Sequence, residues 1–264
     1  MLRGLLDGVL AAVFPTDCAL CGRELISGAH SRVCPRCWGN LVPWEGARCC
    51  RCGLPFVSAH ALDSTDPQCG ACRDEEPAFD KARSFGLYTG DLRRVILHLK
   101  FGHREDLGKH LGALLAPCWT AIEELQTGGR ILIVPVPLHA SRRRERGFNQ
   151  AELLATGLLR ALRRNGRHDL RLAKDCLVRT RSTPPQTGLS VSARHENPQG
   201  AFHAGAPDKL KECTAVLIDD VMTTGSTLSA CARALKRDGA VQVMGITLAR
   251  ATPQFPDFAS SGNS

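Results

Sequence analysis

From about residue 77 onward, the apolar positions of the chain follow two alternating patterns. Short continuous apolar runs, typical of buried strands, occur at 131–136 and 215–218, and the mostly apolar segment 241–249 also predicts a strand. Apolar residues spaced three and four positions apart predict amphipathic helices over 91–99, 150–164 and 226–237. Because strands that alternate with helices pair in parallel, this part of the chain predicts an α/β domain with a mostly parallel sheet.

Three further segments extend the pattern. Residues 82–88 alternate like a strand, 107–125 predict a helix bent at Pro117, and 170–178 predict another strand. Between 179 and 202 the chain is rich in proline, hydroxyl residues and glycine. Loops of this length inside a compact domain commonly serve as lids or binding elements, so we expect this segment to contact a ligand.

The N-terminal part has a different character. Residues 1–14 predict an amphipathic helix that docks on the rest of the protein; it is too short to cross a bilayer, and no other segment predicts a membrane span. The acidic stretch before Pro77 marks a boundary. We therefore expect an N-terminal helix with a cysteine-rich module over 1–76, the α/β domain over 77–252 and a disordered tail over 253–264.

Eight of the thirteen cysteines form C-x-x-C pairs within the first 72 residues: Cys18 and Cys21, Cys34 and Cys37, Cys49 and Cys52, Cys69 and Cys72. Two such pairs supply four thiolates, which close a tetrahedral zinc site. A segment this short buries little apolar surface, so metal binding would supply much of its folding free energy. The sequence predicts structural zinc, in one site or two, and a reducing, cytoplasmic location.

Two alternatives stay open for this module. Cys50 adjoins Cys49, but only Cys49 has C-x-x-C spacing to Cys52, so we interpret Cys50 as a bystander. Two disulfides are the alternative to zinc, although the presence of two sets of paired C-x-x-C turns (zinc knuckles) favours the metal. The isolated cysteines are interpreted as buried structural thiols rather than nucleophiles; they are Cys118, Cys176, Cys213 and Cys231.

The segment 215–228 carries the most specific chemistry. Its apolar run ends in the adjacent carboxylates Asp219 and Asp220, and a short polar loop then leads into a helix: Thr223, Thr224, Gly225, Ser226 and Thr227. Backbone N–H groups, hydroxyls and the helix dipole converge there and favour a phosphate. Two carboxylates would repel that phosphate unless ribose hydroxyls or Mg²⁺ lie nearby. The segment therefore predicts a site for a ribose 5-phosphate.

Positive charge is concentrated in one region. The formal net charge is +8, and residues 142–181 contain twelve basic and four acidic residues, a difference equal to the whole excess. Such a region can bind pyrophosphate, nucleic acid or only water. Lys100, in the last turn of the helix predicted from residue 91, could reach an anionic ligand, but we favour its interpretation as a charge that complements the helix dipole and faces solvent.

Several ordered motifs resemble the ComF family. They are the double cysteine module, R-G-F-N-Q at 146–150, T-x-x-Q-T-G-L-S at 183–190, Arg194, Asn197 and D-D-V-x-T-T-G at 219–225. The 216–228 segment itself resembles the phosphoribosyl-diphosphate (PRPP) loop of type I phosphoribosyltransferases. The resemblance covers nearly the whole chain. It implies a type I phosphoribosyltransferase fold with an N-terminal zinc-ribbon module, and a link to DNA uptake and to other competence proteins.

The resemblance also implies roles for individual residues. PRPP would place its 5-phosphate in the 223–227 loop and its ribose hydroxyls at Asp219 and Asp220, with Mg²⁺ bridging the diphosphate. The turn at Pro137 and Leu138 would present backbone N–H groups to pyrophosphate. Arg181 and Arg194 would stabilise the departing pyrophosphate, and a nitrogen nucleophile would attack the sugar.

A second hypothesis belongs to another class of protein. The concentrated arginines and the zinc ribbons would suit a non-catalytic PRPP sensor that handles single-stranded DNA. The low aromatic content, 5% with one Tyr and three Trp, limits base stacking and argues against it. The sequence thus favours a phosphoribosyltransferase, with single-stranded DNA as a candidate second partner.

Overall fold

The computed structural model describes residues 16–25, 32–56, 66–102, 105–124, 129–180 and 200–252. The helix predicted over 1–14 and the tail predicted over 253–264 lie outside these ranges. So does most of the long segment predicted between 179 and 202, with Arg181 and Arg194 in it, and the roles of these two arginines stay predictions.

The cysteine-rich part is built from short elements. These are β1 (Thr16–Asp17), β2 (Glu24–Leu25), α1 (Pro35–Gly39) and α2 (Gly70–Asp74), with β1 and β2 antiparallel. Cys34 immediately precedes α1 and Cys69 immediately precedes α2. The module therefore contains the same arrangement twice. A turn carries one C-x-x-C pair, and the next pair lies at the start of a short helix.

The rest of the chain alternates strands and helices. In order these are β3 (Lys81–Leu87), α3 (Gly90–Phe101), α4 (Glu105–Ala113), α5 (Ala116–Glu123), β4 (Arg130–Pro135), α6 (Ala140–Arg146), α7 (Gln150–Arg164), β5 (Arg171–Leu172), β6 (Leu177–Arg179), β7 (Phe202–Ala204), β8 (Cys213–Met222), α8 (Ser226–Arg237) and β9 (Gln242–Arg250). Five strands form one sheet in the order β3-β9-β8-β4-β5, and every neighbouring pair is parallel. The predicted parallel sheet is confirmed.

The two faces of the central strand β8 are both covered. Val216 and Ile218 belong to an apolar cluster with α3, α4, α5 and α7, whereas Ala215 and Leu217 belong to a second cluster with α8. All four residues have no exposed surface. This double burial explains why the sequence shows a continuous apolar run rather than an alternating one.

Two predicted elements are wrong in detail. The helix predicted over 107–125 is two helices, α4 and α5, and Pro117 lies in the first turn of α5, where its missing N–H breaks no hydrogen bond. The strand predicted over 170–178 splits into β5, which joins the main sheet, and β6, which pairs antiparallel with β7. Polar residues Lys174 and Asp175, both exposed, separate the two strands.

The cysteine-rich part packs directly against the α/β domain. The Ala82 N–H donates to the Arg51 carbonyl at 2.8 Å, and the Trp44 N–H donates to the Phe85 carbonyl at 2.7 Å. Both contacts pair an edge of the module with β3, the outermost strand of the sheet. Seven of the eight paired cysteines, all but the exposed Cys21, therefore belong to the two apolar clusters that also hold the α/β domain together.

Candidate functional site

The candidate site is the loop that joins β8 to α8 at the carboxyl edge of the parallel sheet. Gly225 precedes α8 with φ +87°, a conformation that favours glycine, and a Cβ there would lie 2.7 Å from the Met222 Cε. The Thr224 hydroxyl donates to the Ser226 Oγ at 3.0 Å. Gly225 and Ser226 are buried, while Thr223, Thr224 and Thr227 are half-buried. The loop thus brings the predicted hydroxyls together at the N-terminus of a twelve-residue helix.

The acid pair lies at the end of β8, directly before this loop. Asp219 accepts the backbone N–H of Asp220 at 2.8 Å, and Asp220 is 8% exposed. Burial, followed by the neighbouring charge of Asp220, raises the pKa of Asp219 to about 7, and Lys100 and Arg179 oppose the rise. Two adjacent carboxylates in this setting favour the binding of a cation or of hydroxyl donors.

The position of Lys100 contradicts its interpretation as a charge that faces solvent. Its Nζ lies 3.1 Å from Oδ1 of Asp220, and its side chain is 19% exposed. Lys100 is therefore not a solvated charge, because the last turn of α3 brings its ammonium group to the acid pair at the end of β8. The sequence carries only a weak signal for this contact, since a lysine in a final helical turn is common for other reasons.

Two arginines add positive charge around the acids. Burial lowers the pKa of Arg146, and Asp220 opposes that change; burial likewise lowers the pKa of Arg179, with Asp219 opposing. The Arg146 guanidinium lies 5.4 Å from the centre of the Phe101 ring, and that of Arg179 lies 5.3 Å from the Phe202 ring. The sequence placed both arginines in the basic region without assigning either to the site.

The turn after β4 lies beside the acid pair because β4 is the neighbour of β8. Pro135 is paired with Ile218, and the Val136 N–H donates to the Ile218 carbonyl at 2.9 Å. The buried Asn149 side chain donates to the Val136 carbonyl at 3.1 Å and holds the turn to α7. Pro137 has no N–H group, so Leu138 is the one of the two predicted residues that can present a backbone donor.

The eight predicted cysteine ligands come together in two separate clusters. Each brings four Sγ atoms within 4.8 Å of one another. These are Cys18, Cys21, Cys34 and Cys37 in the first cluster, and Cys49, Cys52, Cys69 and Cys72 in the second. Cys50 belongs to neither, and all thirteen cysteines are free of disulfides. The isolated thiols Cys118, Cys176, Cys213 and Cys231 are buried.

Both clusters have the dimensions of a tetrahedral zinc site. Zn–S bonds of about 2.3 Å require S–S distances of about 3.8 Å, and Cys21–Cys34 and Cys52–Cys69 are separated by 3.8 Å and 3.6 Å. Hydrogen bonding from the Cys52 thiol lowers the pKa of Cys49 to about 4, although burial opposes it. The same hydrogen bond raises the pKa of Cys52, so Cys49 is the member of this pair that supplies a thiolate, the form that binds zinc.

The knuckle turns also fit this role. Gly22 and Gly53 each follow a C-x-x-C pair with φ +67°, and the Gly53 N–H donates to the Cys49 carbonyl at 3.0 Å. A Cβ at Gly53 would lie 2.9 Å from the Ala82 carbonyl oxygen, so the second knuckle approaches β3 more closely than another residue would allow.

Comparison with known proteins identifies the family. Residues 9–74 match the family model described as a double zinc ribbon domain. The chain is 32% identical to the DNA utilization protein YhgH of Escherichia coli K12, over 87% of this chain and 94% of the relative. It is also 30% identical to Competence protein F of Haemophilus influenzae, over 83% and 96% respectively. The chain belongs to the ComF family.

The ComF resemblance found in the sequence is thereby confirmed. The matched family model and the two four-cysteine clusters support structural zinc in this ComF protein. A hypoxanthine phosphoribosyltransferase from Staphylococcus aureus aligns with 57% of this chain and 66% of its own, at 14% identity and a TM-score of 0.34. The α/β domain with its parallel sheet and N-terminal zinc ribbons agrees with the predicted fold class.

No helix among the described residues is long and apolar enough to cross a membrane. Of the predicted site residues, the structure brings together the acid pair, the 223–227 loop and the turn at Pro137 and Leu138. To these it adds Lys100, Arg146, Arg179 and, behind the loop, Arg250, whose guanidinium donates to the Thr223 carbonyl. The sequence does not favour any of these four for the site, because α3, α6, β6 and β9 reach it only through the tertiary fold.

Proposed function

We propose that this ComF protein binds PRPP at the carboxyl edge of its sheet and transfers the phosphoribosyl group to a nitrogen nucleophile with release of pyrophosphate. The observation that supports this most strongly is the acid pair, half-buried Asp219 and buried Asp220, directly before a hydroxyl-rich loop at a helix N-terminus. A phosphate site alone would not need the acids, and a cation site alone would not need the loop.

In this proposal the 5-phosphate occupies the loop from Thr223 to Thr227. Backbone N–H groups and hydroxyls there would donate to the phosphate oxygens, and the N-terminus of α8 would add a favourable dipole. The ribose hydroxyls would donate to Asp219 and Asp220. As the bond to pyrophosphate breaks, positive charge would develop on the sugar, and these carboxylates would stabilise it.

The diphosphate would extend toward the cations that surround the acids. Lys100 and Arg146, with Arg181 and Arg194 from the segment outside the described residues, would stabilise the negative charge of departing pyrophosphate. Carboxylates and phosphate oxygens are the ligands that Mg²⁺ prefers, so the acid pair fits that ion. Bound Mg²⁺ would neutralise the diphosphate.

We also propose that this activity serves DNA uptake. The support is that relatives over most of the chain are named DNA utilization protein and competence protein. Other competence proteins are candidate partners on the same ground. The domain limits at 76 and 252 are proposed boundaries between the zinc-ribbon module, the transferase domain and the tail.

A second candidate function is binding of single-stranded DNA, and the exposed arginines favour it. Arg144, Arg160, Arg163 and Arg164 are exposed on α6 and α7. Two other basic residues are already paired, because Arg143 and Lys174 lie 3.2 and 3.4 Å from the two carboxylate oxygens of Glu152. Phe101, 64% exposed, offers one stacking surface near the site.

Isothermal titration calorimetry tests the primary proposal. PRPP with Mg²⁺ should bind more tightly than PRPP with EDTA, ribose 5-phosphate or pyrophosphate, because only the complete ligand reaches the loop, the acids and the cations together. Absence of binding heat for PRPP under both conditions would refute the assignment. A pyrophosphate-release assay with a panel of nitrogen nucleophiles then tests transfer.

A further inference from the structure

One guanidinium touches both the candidate ligand loop and a cysteine cluster. Arg250, the last residue of β9, donates from Nη1 to the Thr223 carbonyl, and its Nη2 lies 3.8 Å from the Sγ of Cys52. Its side chain is buried, with the whole residue 5% exposed. Arg250 and Cys52 are 198 positions apart in the chain.

The sheet fixes the position of Arg250 from both sides. Arg250 pairs with Met222 on β8 and with Leu87 on β3. The Tyr88 N–H donates to the Arg250 carbonyl and the Ala251 N–H donates to the Met222 carbonyl, both at 2.9 Å. The two neighbouring strands hold the backbone of Arg250, and burial of its side chain leaves the guanidinium little space to leave either partner.

We propose that Arg250 is a positioning residue that couples the second zinc site to the ligand loop, so that metal retention at Cys49, Cys52, Cys69 and Cys72 and PRPP binding strengthen each other. The identity of the ligand, PRPP, rests on the proposed function, and the identity of the metal rests on the geometry of the two cysteine clusters.

The loop side of the coupling follows from peptide geometry. In a trans peptide the C=O and the following N–H point in opposite directions. When the Thr223 carbonyl is held by Arg250, the N–H of Thr224 is directed away from Arg250, toward the side on which a phosphate would lie. Arg250 therefore orients a phosphate donor without touching the phosphate.

The metal side follows from charge. A zinc ion with four thiolates carries a net negative charge, and burying that charge is unfavourable unless donors or cations lie next to it. Partners of this kind around the first ligands orient them and tune metal affinity. Arg250 supplies both a positive charge and an N–H donor at Cys52. Its Nε is buried with no hydrogen-bond partner among the described residues, which leaves the two terminal nitrogens as its contacts.

The first cluster supplies a matched control. Arg94 on α3 donates to the Leu20 carbonyl, between Cys18 and Cys21, and its other terminal nitrogen pairs with Asp91 at 2.9 Å. Arg94 thus contacts the backbone of a cysteine knuckle, whereas Arg250 contacts a cysteine sulfur, and neither contact of Arg94 reaches the 223–227 loop. Replacing it should disturb the first site alone.

The test uses the full-length protein with cadmium in both cysteine sites, because cadmium NMR then reports each site separately. In the wild type and in Arg94→Met, PRPP should shift the second-site resonance and slow release of that metal to a chelator. In Arg250→Met the PRPP-dependent shift should vanish. PRPP affinity should fall about tenfold or more, as expected for the loss of a charge-assisted hydrogen bond. Arg250→Lys, which keeps the charge but cannot span both partners, should retain the metal better than Arg250→Met yet lose the linkage.

Three results would overturn the coupling. One is a PRPP-dependent second-site shift that persists in folded Arg250→Met. Another is a wild-type second site that does not respond to PRPP although calorimetry shows binding. If the wild type does not bind PRPP at all, the proposed function is wrong, but the metal-release measurement still tests Arg250. Equal second-site release rates in wild type and Arg250→Met would exclude a role for Arg250 at that site.

Discussion

Lys100 and Asp220 form an ion pair of 3.1 Å between the end of α3 and the end of β8, with 19% and 12% of the two side chains exposed. The acid pair therefore has its own counter-ion before any ligand arrives. A ligand that brings Mg²⁺ or hydroxyl donors to the acids would release Lys100 to contact the anionic part of that ligand. The pair thus links the cation-binding and anion-binding halves of the proposed site.

Replacing Lys100 with Met should lower the free energy of unfolding by about 1–3 kcal/mol, because Asp220 would keep a largely buried carboxylate without its partner. Mg²⁺ should restore part of that loss by occupying the acids. Thermal unfolding of wild type and variant, each with and without Mg²⁺, measures both effects. Lys211→Met, which removes an ion pair whose two side chains are 73% and 93% exposed, is the control. An unchanged Tm in Lys100→Met would contradict this account.

The raised pKa of Asp219 predicts a pH-dependent stability. Because its pKa is about 7 in the folded protein, against an ordinary value of 3.8, the folded state holds a proton that the unfolded chain has lost between these values. This group therefore lowers the free energy of unfolding as pH rises from about 4 to about 7. The substitution Asp219→Asn removes the ionisable group and should therefore remove this pH-dependent contribution to stability.

Denaturant-induced unfolding in the absence of ligand tests the direction of this pH dependence. Between about pH 5 and about pH 8, Asp219→Asn should gain stability relative to wild type by more than about 1 kcal/mol, since one pKa unit corresponds to about 1.4 kcal/mol. Taking the difference between the two proteins cancels the other titrating groups. The same wild-type-to-variant difference at both pH values would show that the pKa of Asp219 is not raised.

The two cysteine clusters predict two zinc ions per chain. Cys52→Ser should lose one of them, whereas Cys50→Ser should keep both, because Cys50 adjoins the second cluster without belonging to it. Elemental analysis of the purified proteins gives the zinc content directly. A single zinc in the wild type, or the loss of one in Cys50→Ser, would show that the ligand sets are wrong.

The arginines of α6 test the nucleic-acid alternative. If Arg142, Arg143 and Arg144 follow a DNA backbone, replacing all three by Ala should lower the slope of log affinity for single-stranded DNA against log salt by about 0.7 per lost phosphate contact. Arg143 is already paired with Glu152, so we expect fewer than three contacts to be lost. An unchanged slope would exclude this helix from a DNA surface.

Much of this site follows from local sequence, and part of it does not. The 215–228 segment and the C-x-x-C pairs specify their own turns, helix start and donor types, because the residues that act together are neighbours in the chain. Helix α7 is found over the predicted residues, since its amphipathic pattern and its Asn149 cap are both local signals.

The remaining parts depend on the tertiary fold. Lys100 and Arg250 are one lysine and one arginine among thirty-four basic residues, and nothing near them in sequence separates them from surface charges. They reach the site because α3 ends at the carboxyl edge of the sheet and β9 runs beside β8. The split of 170–178 into β5 and β6 was missed for a related reason, because strand pairing with β4 and β7 is decided at a distance.

The central claim is that the acid pair and its loop bind PRPP, and calorimetry with an acid-pair variant tests it most directly. Asp219→Asn combined with Asp220→Asn should abolish Mg²⁺-dependent PRPP binding while the circular dichroism spectrum stays that of the folded protein. Asp208→Asn, at a carboxylate with 93% of its side chain exposed, is the control and should bind as the wild type does. Wild-type affinity for PRPP in the folded double variant would contradict the account.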